Sequence, residues 1–139
     1  MARIVSIIAD TSGIISLLNT DDRHHQGCVE IARNETLWVP STVIPEVDYM
    51  ATKYFGAIAA TAFLKDLSKG MFRYVVVEIG DIRRAIDVIE KYRDIPLGIV
   101  DASLVALAER HQIQNILTLD RRHFSAIQPE TMDYFLLLP

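Results

Sequence analysis

Five short apolar segments, separated by longer amphipathic ones, constrain the fold of this chain more than any other feature of its sequence. Their β-branched content and nearly continuous apolarity are typical of strands that are buried on both faces, as in parallel sheets. The alternation of such strands with helical segments predicts an α/β fold with a parallel central sheet. The predicted strands cover residues 3–9, 36–39, 74–78, 115–119 and 134–138.

Helical patterns fill the regions between these strands. Apolar residues recur at three- and four-residue spacing from Ile82 to Tyr92, which predicts a helix with one buried stripe. Ser41 and Thr42 are candidate N-caps of a helix that runs toward Tyr54. Two more helices are predicted over residues 56–67 and 102–111.

The chain has 139 residues, the size of one ordinary domain, and no linker or repeat divides it, so one domain over residues 1–139 is predicted. Cys28 is the only cysteine in the sequence, which excludes an internal disulfide and favours a reducing cytoplasm. Asp10 interrupts the first apolar run, and no run approaches the ~20 residues that span a bilayer. We therefore expect a cytoplasmic protein without a membrane segment.

The chain is acidic, with 14 Lys and Arg against 18 Asp and Glu, and its net charge is −4. Neutralisation of phosphates by Lys and Arg dominates non-specific affinity for nucleic acids, so this charge argues mildly against a nucleic-acid partner. It does not exclude one, because metal ions bound to carboxylates reverse the local sign of a site.

Four acidic residues lie where predicted strands end or helices begin. Asp10 and Asp120 follow strands, so in a parallel sheet both emerge at the carboxyl edge, where such folds bind ligands. Glu46 lies in the first turns of the helix after the second strand, near the same edge. Asp101 begins another helix, and whether that helix starts at this edge depends on the strand order, which the sequence does not reveal.

Together these residues suggest a site for a hard cation, since Mg²⁺ and Mn²⁺ prefer carboxylate oxygens. Such cations polarise a phosphodiester, activate a water molecule and stabilise the leaving oxygen. Taken singly, each residue also has a structural interpretation. Asp10 and Asp101 would serve as N-caps, Asp120 as a turn residue, and Glu46 would lie on a solvated helix face. The sequence has no P-loop lysine motif, no G-x-G-x-x-G after a strand, and no convincing Ser-His-Asp or Cys-His arrangement.

The segments around the four acids read IADTSG at 8–13, VIPEV at 43–47, IVDASLVALAE at 99–109 and ILTLDRRHF at 116–124. In order and spacing they resemble the successive motifs of PIN domains, and most closely those of VapC-type toxins of bacterial VapBC toxin–antitoxin modules. The resemblance implies a three-layer α/β/α sandwich with a mostly parallel sheet, and an endoribonuclease that uses Mg²⁺ or Mn²⁺. It also implies a homodimer and a cognate VapB-like antitoxin. The residues to which it assigns metal binding and catalysis are Asp10, Glu46, Asp101 and Asp120.

Residues beside the acids carry further expectations. Thr11 or Ser12 matches the hydroxyl position next to the first acid of the family, where it would orient water or a metal ligand. Arg121 and Arg122 either contact RNA phosphates or are solvated turn residues, and the sequence favours neither. Gly98 departs from the pattern of close relatives, which often have an acidic residue at this position.

Three alternatives stay open. A phosphomonoesterase would use Asp10 as its nucleophile, but its second acid is expected two residues later, where this chain has Ser12. A non-catalytic PIN-like scaffold would lack one or more of the four acids. A PIN nuclease of RNA maturation, without a toxin role, is hardly separated from a toxin by sequence alone.

Two further predictions concern packing. Trp38 lies within a strand, so a place in the core is favoured over a role as a base-stacking platform. Residues 54–64 are apolar over more than one helical stripe, which makes the helices of residues 50–67 the candidate dimer interface.

Overall fold

The computed structural model describes residues 3–139, in which five strands alternate with helices. The elements are β1 (Ser6–Ala9), α1 (Thr11–Leu18), α2 (His25–Asn34), β2 (Thr36–Pro40), α3 (Ile44–Phe55), α4 (Ala57–Ser68), β3 (Arg73–Val75), α5 (Ile79–Lys91), α6 (Ile99–His111), β4 (Asn115–Leu117), α7 (Arg121–Ala126) and β5 (Leu136–Leu138). The predicted α/β class is confirmed. Within this part of the chain no helix has the length and apolarity to cross a membrane.

The five strands form one parallel sheet in the order β3-β2-β1-β4-β5. From β1 the chain moves outward through β2 to β3, then crosses back to β4 and continues to β5. Because crossovers between parallel strands are right-handed, the two directions place α1–α4 on one face of the sheet and α5–α7 on the other. The result is the expected three-layer α/β/α sandwich.

The core is centred on β1, whose Ile7 and Ile8 are fully buried. In the sheet register, Ile8 lies between Trp38 of β2 and Ile116 of β4. Helix α6 is buried on every side over residues 102–109, all of which except Glu109 are small or aliphatic. It packs against α5 more extensively than any other two elements pack together.

Gly13, in the first turn of α1, permits a close approach between two segments of the candidate site. A Cβ atom at this position would lie 2.6 Å from the carbonyl oxygen of Leu117, well inside the contact distance of nonbonded atoms. The backbone N–H of Asp10 donates to that same oxygen at 2.9 Å. The start of α1 therefore lies directly against the end of β4.

The predicted caps of α3 are wrong, and the alternative role of Asp101 as a helix cap is not observed either. Helix α6 begins earlier than predicted and has Gly98 as its N-cap, so Asp101 lies in the first turn and does not cap the helix. Neither Ser41 nor Thr42 caps α3, whose N-cap is Val43, a residue without a capping side chain.

The hydroxyl groups of Ser41 and Thr42 make tertiary contacts instead. The Oγ of Ser41 accepts a hydrogen bond from the backbone N–H of Val77 at 3.0 Å. The Oγ1 of Thr42 lies 2.8 Å from the Oγ of Ser103, which links α6 to the segment before α3. Contacts between distant segments therefore override local capping here.

The last three strands are shorter than predicted, with three residues each. Strand β3 ends at Val75 because the chain then turns into α5, whose N-terminus is closed by a capping box between Glu78 and Asp81. Trp38 packs against the core as predicted, with its ring 4.9 Å from the ring of His111. The guanidinium of Arg73 lies over the same indole at 4.8 Å.

Candidate active site

A cleft of about 530 Å³ opens at the carboxyl edge of the sheet. The chain leaves the neighbouring strands β1 and β4 in opposite directions, so the cleft lies at the topological switch point, where open α/β sheets bind ligands. All four predicted acids line this cleft: Asp10, Glu46, Asp101 and Asp120.

The strand order explains why Asp101 joins the other acids. Helix α6 leads into β4 and runs antiparallel to it, so the first turn of α6 lies at the carboxyl edge of the sheet. Glu46 arrives from the opposite layer, because α3 starts at the same edge, directly after β2. The acids thus come from four separate segments and both helical layers.

Asp10 is the most buried of the four acids, with 5% of its surface exposed. Its Oδ1 accepts a hydrogen bond from the backbone N–H of Thr11 at 2.8 Å, and its Oδ2 accepts one from the hydroxyl of Thr118 at 2.9 Å. Burial raises the pKa of Asp10 to about 6, and the charges of Asp101 and Glu46 add to this effect, whereas the two hydrogen bonds oppose it. In this environment the ionised form of the Asp10 carboxylate is stabilised by a positive charge close to it.

Two hydroxyl groups connect the ends of β1 and β4. The Oγ of Ser12 lies 3.4 Å from Oδ2 of Asp10 and 3.3 Å from Oγ1 of Thr118, and it accepts the backbone N–H of Leu119 at 2.9 Å. The Oγ1 of Thr118 accepts the backbone N–H of Asp120 at 3.0 Å. Ser12 is therefore placed as the sequence predicts, whereas the hydroxyl of Thr11 is buried without a partner among the described residues.

Thr118 was not among the predicted site residues. It is fully buried and holds Asp10 directly, whereas the segment that contains it looks like an ordinary apolar strand. One signal was available, since Thr118 lies two residues before Asp120, and side chains two apart in an extended chain point to the same face.

His123 is the second residue that the sequence did not place in the site. Its ring Nδ1 lies 3.1 Å from Oδ2 of Asp101 and 3.2 Å from Oδ2 of Asp120. The pKa of Asp101 is nevertheless raised, because burial and the charges of Asp120 and Glu46 outweigh the hydrogen bond from His123.

A protein-family model described as "PIN domain" matches residues 7–128. The match covers nearly the whole chain and includes all four acids. The chain belongs to the PIN domain family. Among curated proteins it is similar to Ribonuclease VapC26 of Mycobacterium tuberculosis, with 33% identity over 136 residues, covering 96% of this chain and all of that protein. The resemblance to VapC-type PIN domains is thus confirmed.

Solved structures share the PIN fold at low sequence identity. The crystal structure of Mycobacterium tuberculosis VapC20, described as a Sarcin-Ricin loop cleaving toxin, matches with a TM-score of 0.78 and 20% identity, over 86% of this chain and 94% of that chain. VapBC2 from Rickettsia felis, bound to a DNA fragment from its promoter, matches with a TM-score of 0.70 and 15% identity, over 96% and 97% of the two chains.

The donor set of this PIN domain fits a hard divalent cation. Every charged group that lines the cleft is a carboxylate, and the pKa values of Asp10 and Asp101 are raised, first by burial and then by neighbouring acids. Carboxylates crowded in this way are stabilised in their ionised form by a cation. Within residues 3–139 no three His, Cys, Asp or Glu side chains already enclose a metal position, so binding of an ion in the cleft would require the acids to draw closer together.

The arginines after the fourth acid lie outside the lining of the cleft. Arg121 is exposed, and its Nη2 donates a hydrogen bond to the backbone oxygen of Pro139 at 2.6 Å. Arg122 is exposed as well. Contact of either side chain with RNA stays a prediction, and Arg122 is the better candidate because the Arg121 side chain already has a partner.

Proposed function

We propose that this PIN domain is a metal-dependent endoribonuclease and the toxin of a toxin–antitoxin pair. The observation that carries the proposal is the convergence of Asp10, Glu46, Asp101 and Asp120 in one cleft at the switch point of the sheet. The similarity to Ribonuclease VapC26 over nearly the whole chain supports RNA as the substrate. The family model ends at residue 128, and we propose that the remaining residues, which include β5, complete the same single domain.

In this proposal Asp10, Asp101 and Asp120 hold the cation directly, and the more exposed Glu46 completes its shell directly or through water. When bound, Mg²⁺ or Mn²⁺ supplies the charge that polarises the scissile phosphodiester and activates the attacking water. The chain's own residues fix the ligands, since Thr118 orients one oxygen of Asp10 and the backbone of Thr11 orients the other.

The products are expected to be a 5′-phosphate and a 3′-hydroxyl. A nuclease that attacks through the 2′-hydroxyl needs a general base and a general acid at the scissile phosphate, usually histidines. No histidine lines the cleft within the described residues, and the Nδ1 of His123 is turned toward two carboxylates. Water is therefore the nucleophile that this site supports.

The test is cleavage of short RNA with Mg²⁺ or Mn²⁺, with excess chelator, and with the Asp101→Asn variant. We expect the wild type to cut only with metal and Asp101→Asn to lose cleavage by two or more orders of magnitude. Asp87→Asn removes an equal charge from the exposed face of α5 and serves as the matched control, which should cut like the wild type. Cleavage in chelator, or 2′,3′-cyclic phosphate ends, would refute the mechanism.

Hydrolysis of phosphomonoesters is disfavoured by the surroundings of Asp10. An enzyme of this kind that uses Asp10 as its nucleophile would need a second acid two residues later. The second acid of such enzymes is replaced by Ser12, whose hydroxyl is bound to the backbone of Leu119.

For its partner, we propose a VapB-like antitoxin encoded beside this chain, acting in the cytoplasm. Structural neighbours with this fold include VapBC complexes, among them VapBC from Salmonella typhimurium in a DNA-bound form. Induction of the chain alone is expected to slow bacterial growth, whereas Asp10→Asn and Asp120→Asn should not. Equal growth inhibition by the wild type and both variants would point to another mechanism. A wild-type protein that cleaves RNA but does not slow growth would favour a role in RNA maturation.

A further inference from the structure

His123 contacts two of the four carboxylates through a single ring nitrogen. Its Nδ1 lies within hydrogen-bond distance of Oδ2 of Asp101 and of Oδ2 of Asp120, and the imidazole is 20% exposed. Asp101 lies in the first turn of α6, and Asp120 is the N-cap of α7, the helix that carries His123. The ring therefore links the start of α7 to the start of α6.

The position of this ring is fixed by the core. His123 lies on α7, the short helix of residues Arg121–Ala126, and the next residue, Phe124, is completely buried. Phe124 anchors the helix against the sheet and thereby holds the imidazole behind the two carboxylates. Nδ1 carries at most one proton, which it donates to Oδ2 of Asp101, while Oδ2 of Asp120 lies 3.2 Å from the same nitrogen, so the ring holds the two carboxylates close together.

We propose that His123 is a positioning residue that pairs Asp101 with Asp120 and directs the free oxygen of each, Oδ1, toward the same cation in the cleft. Two like charges would otherwise move apart, and the imidazole nitrogen that contacts both carboxylates offsets their repulsion. Hydrogen bonds to ligating carboxylates commonly change metal affinity by 10- to 100-fold. This inference rests on the proposed metal-dependent function.

The test is a calorimetric titration of Mn²⁺ into the protein without RNA, so that binding is measured apart from catalysis. We expect His123→Ala to weaken Mn²⁺ binding by about tenfold or more. His123→Asn, whose amide N–H₂ falls near the position of Nδ1, should recover most of the affinity. Ser125→Ala changes an exposed side chain of the same helix and should bind Mn²⁺ like the wild type.

The possible outcomes separate the two proposals. A wild type that binds no Mn²⁺ overturns the proposed function and the role of His123 with it. A wild type that binds Mn²⁺, with His123→Ala equal to it or tighter, overturns only the positioning role and makes the imidazole a competitor of the ion. If His123→Ala fails to fold, the Mn²⁺ affinities of His123→Asn and His123→Gln are compared, since the amide of Gln reaches farther than that of Asn. Equal affinities of these two variants would overturn the inference.

Discussion

The metal-free protein is expected to become more stable when Asp10 is replaced by Asn. Asp10 is nearly inaccessible to solvent, and the positive charge it needs is not supplied by any neighbouring side chain among those that shift its pKa. Asn keeps the size of the side chain and a carbonyl oxygen for the N–H of Thr11. Its amide N–H₂ then faces the hydroxyl of Thr118, which can accept that hydrogen bond and donate its own proton to Ser12.

The size of the effect follows from the pKa. Burial and neighbouring acids raise the pKa of Asp10 from 3.8 to about 6. Between these values the folded state binds the proton more tightly than the unfolded state, so the free energy of unfolding falls as the pH rises through this window. One pKa unit corresponds to about 1.4 kcal/mol, so ionised Asp10 costs the fold about 3 kcal/mol at neutral pH.

The assay is urea denaturation in chelator, followed by the fluorescence of Trp38, the only tryptophan of the chain. Asp10→Asn should be about 2–3 kcal/mol more stable than wild type at pH 7.5, and the difference should shrink to about 1 kcal/mol at pH 4.5. Glu109→Gln is the matched control, because it neutralises a buried acid that is paired with Arg84, and it should destabilise the protein instead. A less stable Asp10→Asn, or a difference independent of pH, would show that Asp10 is a helix cap and no more.

Further predictions concern the metal, a helix cap and the dimer. In thermal melts, Mn²⁺ should raise the melting temperature of the wild type, because the ion binds only the folded site, and it should raise that of Asp101→Asn far less. Without metal, Asp101→Asn should melt no lower than the wild type. Gly98→Ser should stabilise the fold by roughly 0.5–1 kcal/mol in urea, since the φ of Gly98 is −97°, a Cβ there meets nothing within 4 Å, and Ser provides the missing N-cap of α6. Light scattering at micromolar concentration should give a dimer, and Ile58→Asp, which changes a residue that is 90% exposed on α4, should give a monomer. A dimer that survives Ile58→Asp but not Ile82→Asp would instead place the interface on α5, where Ile79, Ile82 and Ile86 form an exposed apolar stripe.

The fold was predictable because its signals are local. A strand buried on both faces is apolar along its whole length, and β1 and β2 carry that signal clearly. The helix boundaries were less predictable, because tertiary contacts decide them. Ser41 and Thr42 have the chemistry of N-caps, but their hydroxyls bond to the chain near β3 and to α6.

The candidate site was predictable to the extent that its residues mark the ends of elements. Asp10, Glu46 and Asp120 could be placed at one edge without knowledge of the strand order, whereas Asp101 could not. Thr118 and His123 hold acids that lie far from them in sequence, Asp10 and Asp101 respectively. The spacing of Thr118 from Asp120 indicates only that their side chains share a face, and it does not indicate that the hydroxyl bonds to Asp10.

The buried acids of this molecule are of two kinds, which differ in whether an arginine is paired with them. Glu109 and Asp81 are each held by two hydrogen bonds from one arginine, at 2.7 and 3.1 Å from Arg84 and at 2.9 and 2.8 Å from Arg110. Burial raises the pKa of each acid, but the hydrogen bonds and charge of its arginine, together with one backbone hydrogen bond, outweigh burial and hold the pKa below its ordinary range. Asp10 has no arginine partner, and its pKa is raised. Since the chain pairs its buried acids with arginine elsewhere, the absence of such a pair among the described neighbours of Asp10 is a cost to stability that a cation in the cleft would offset.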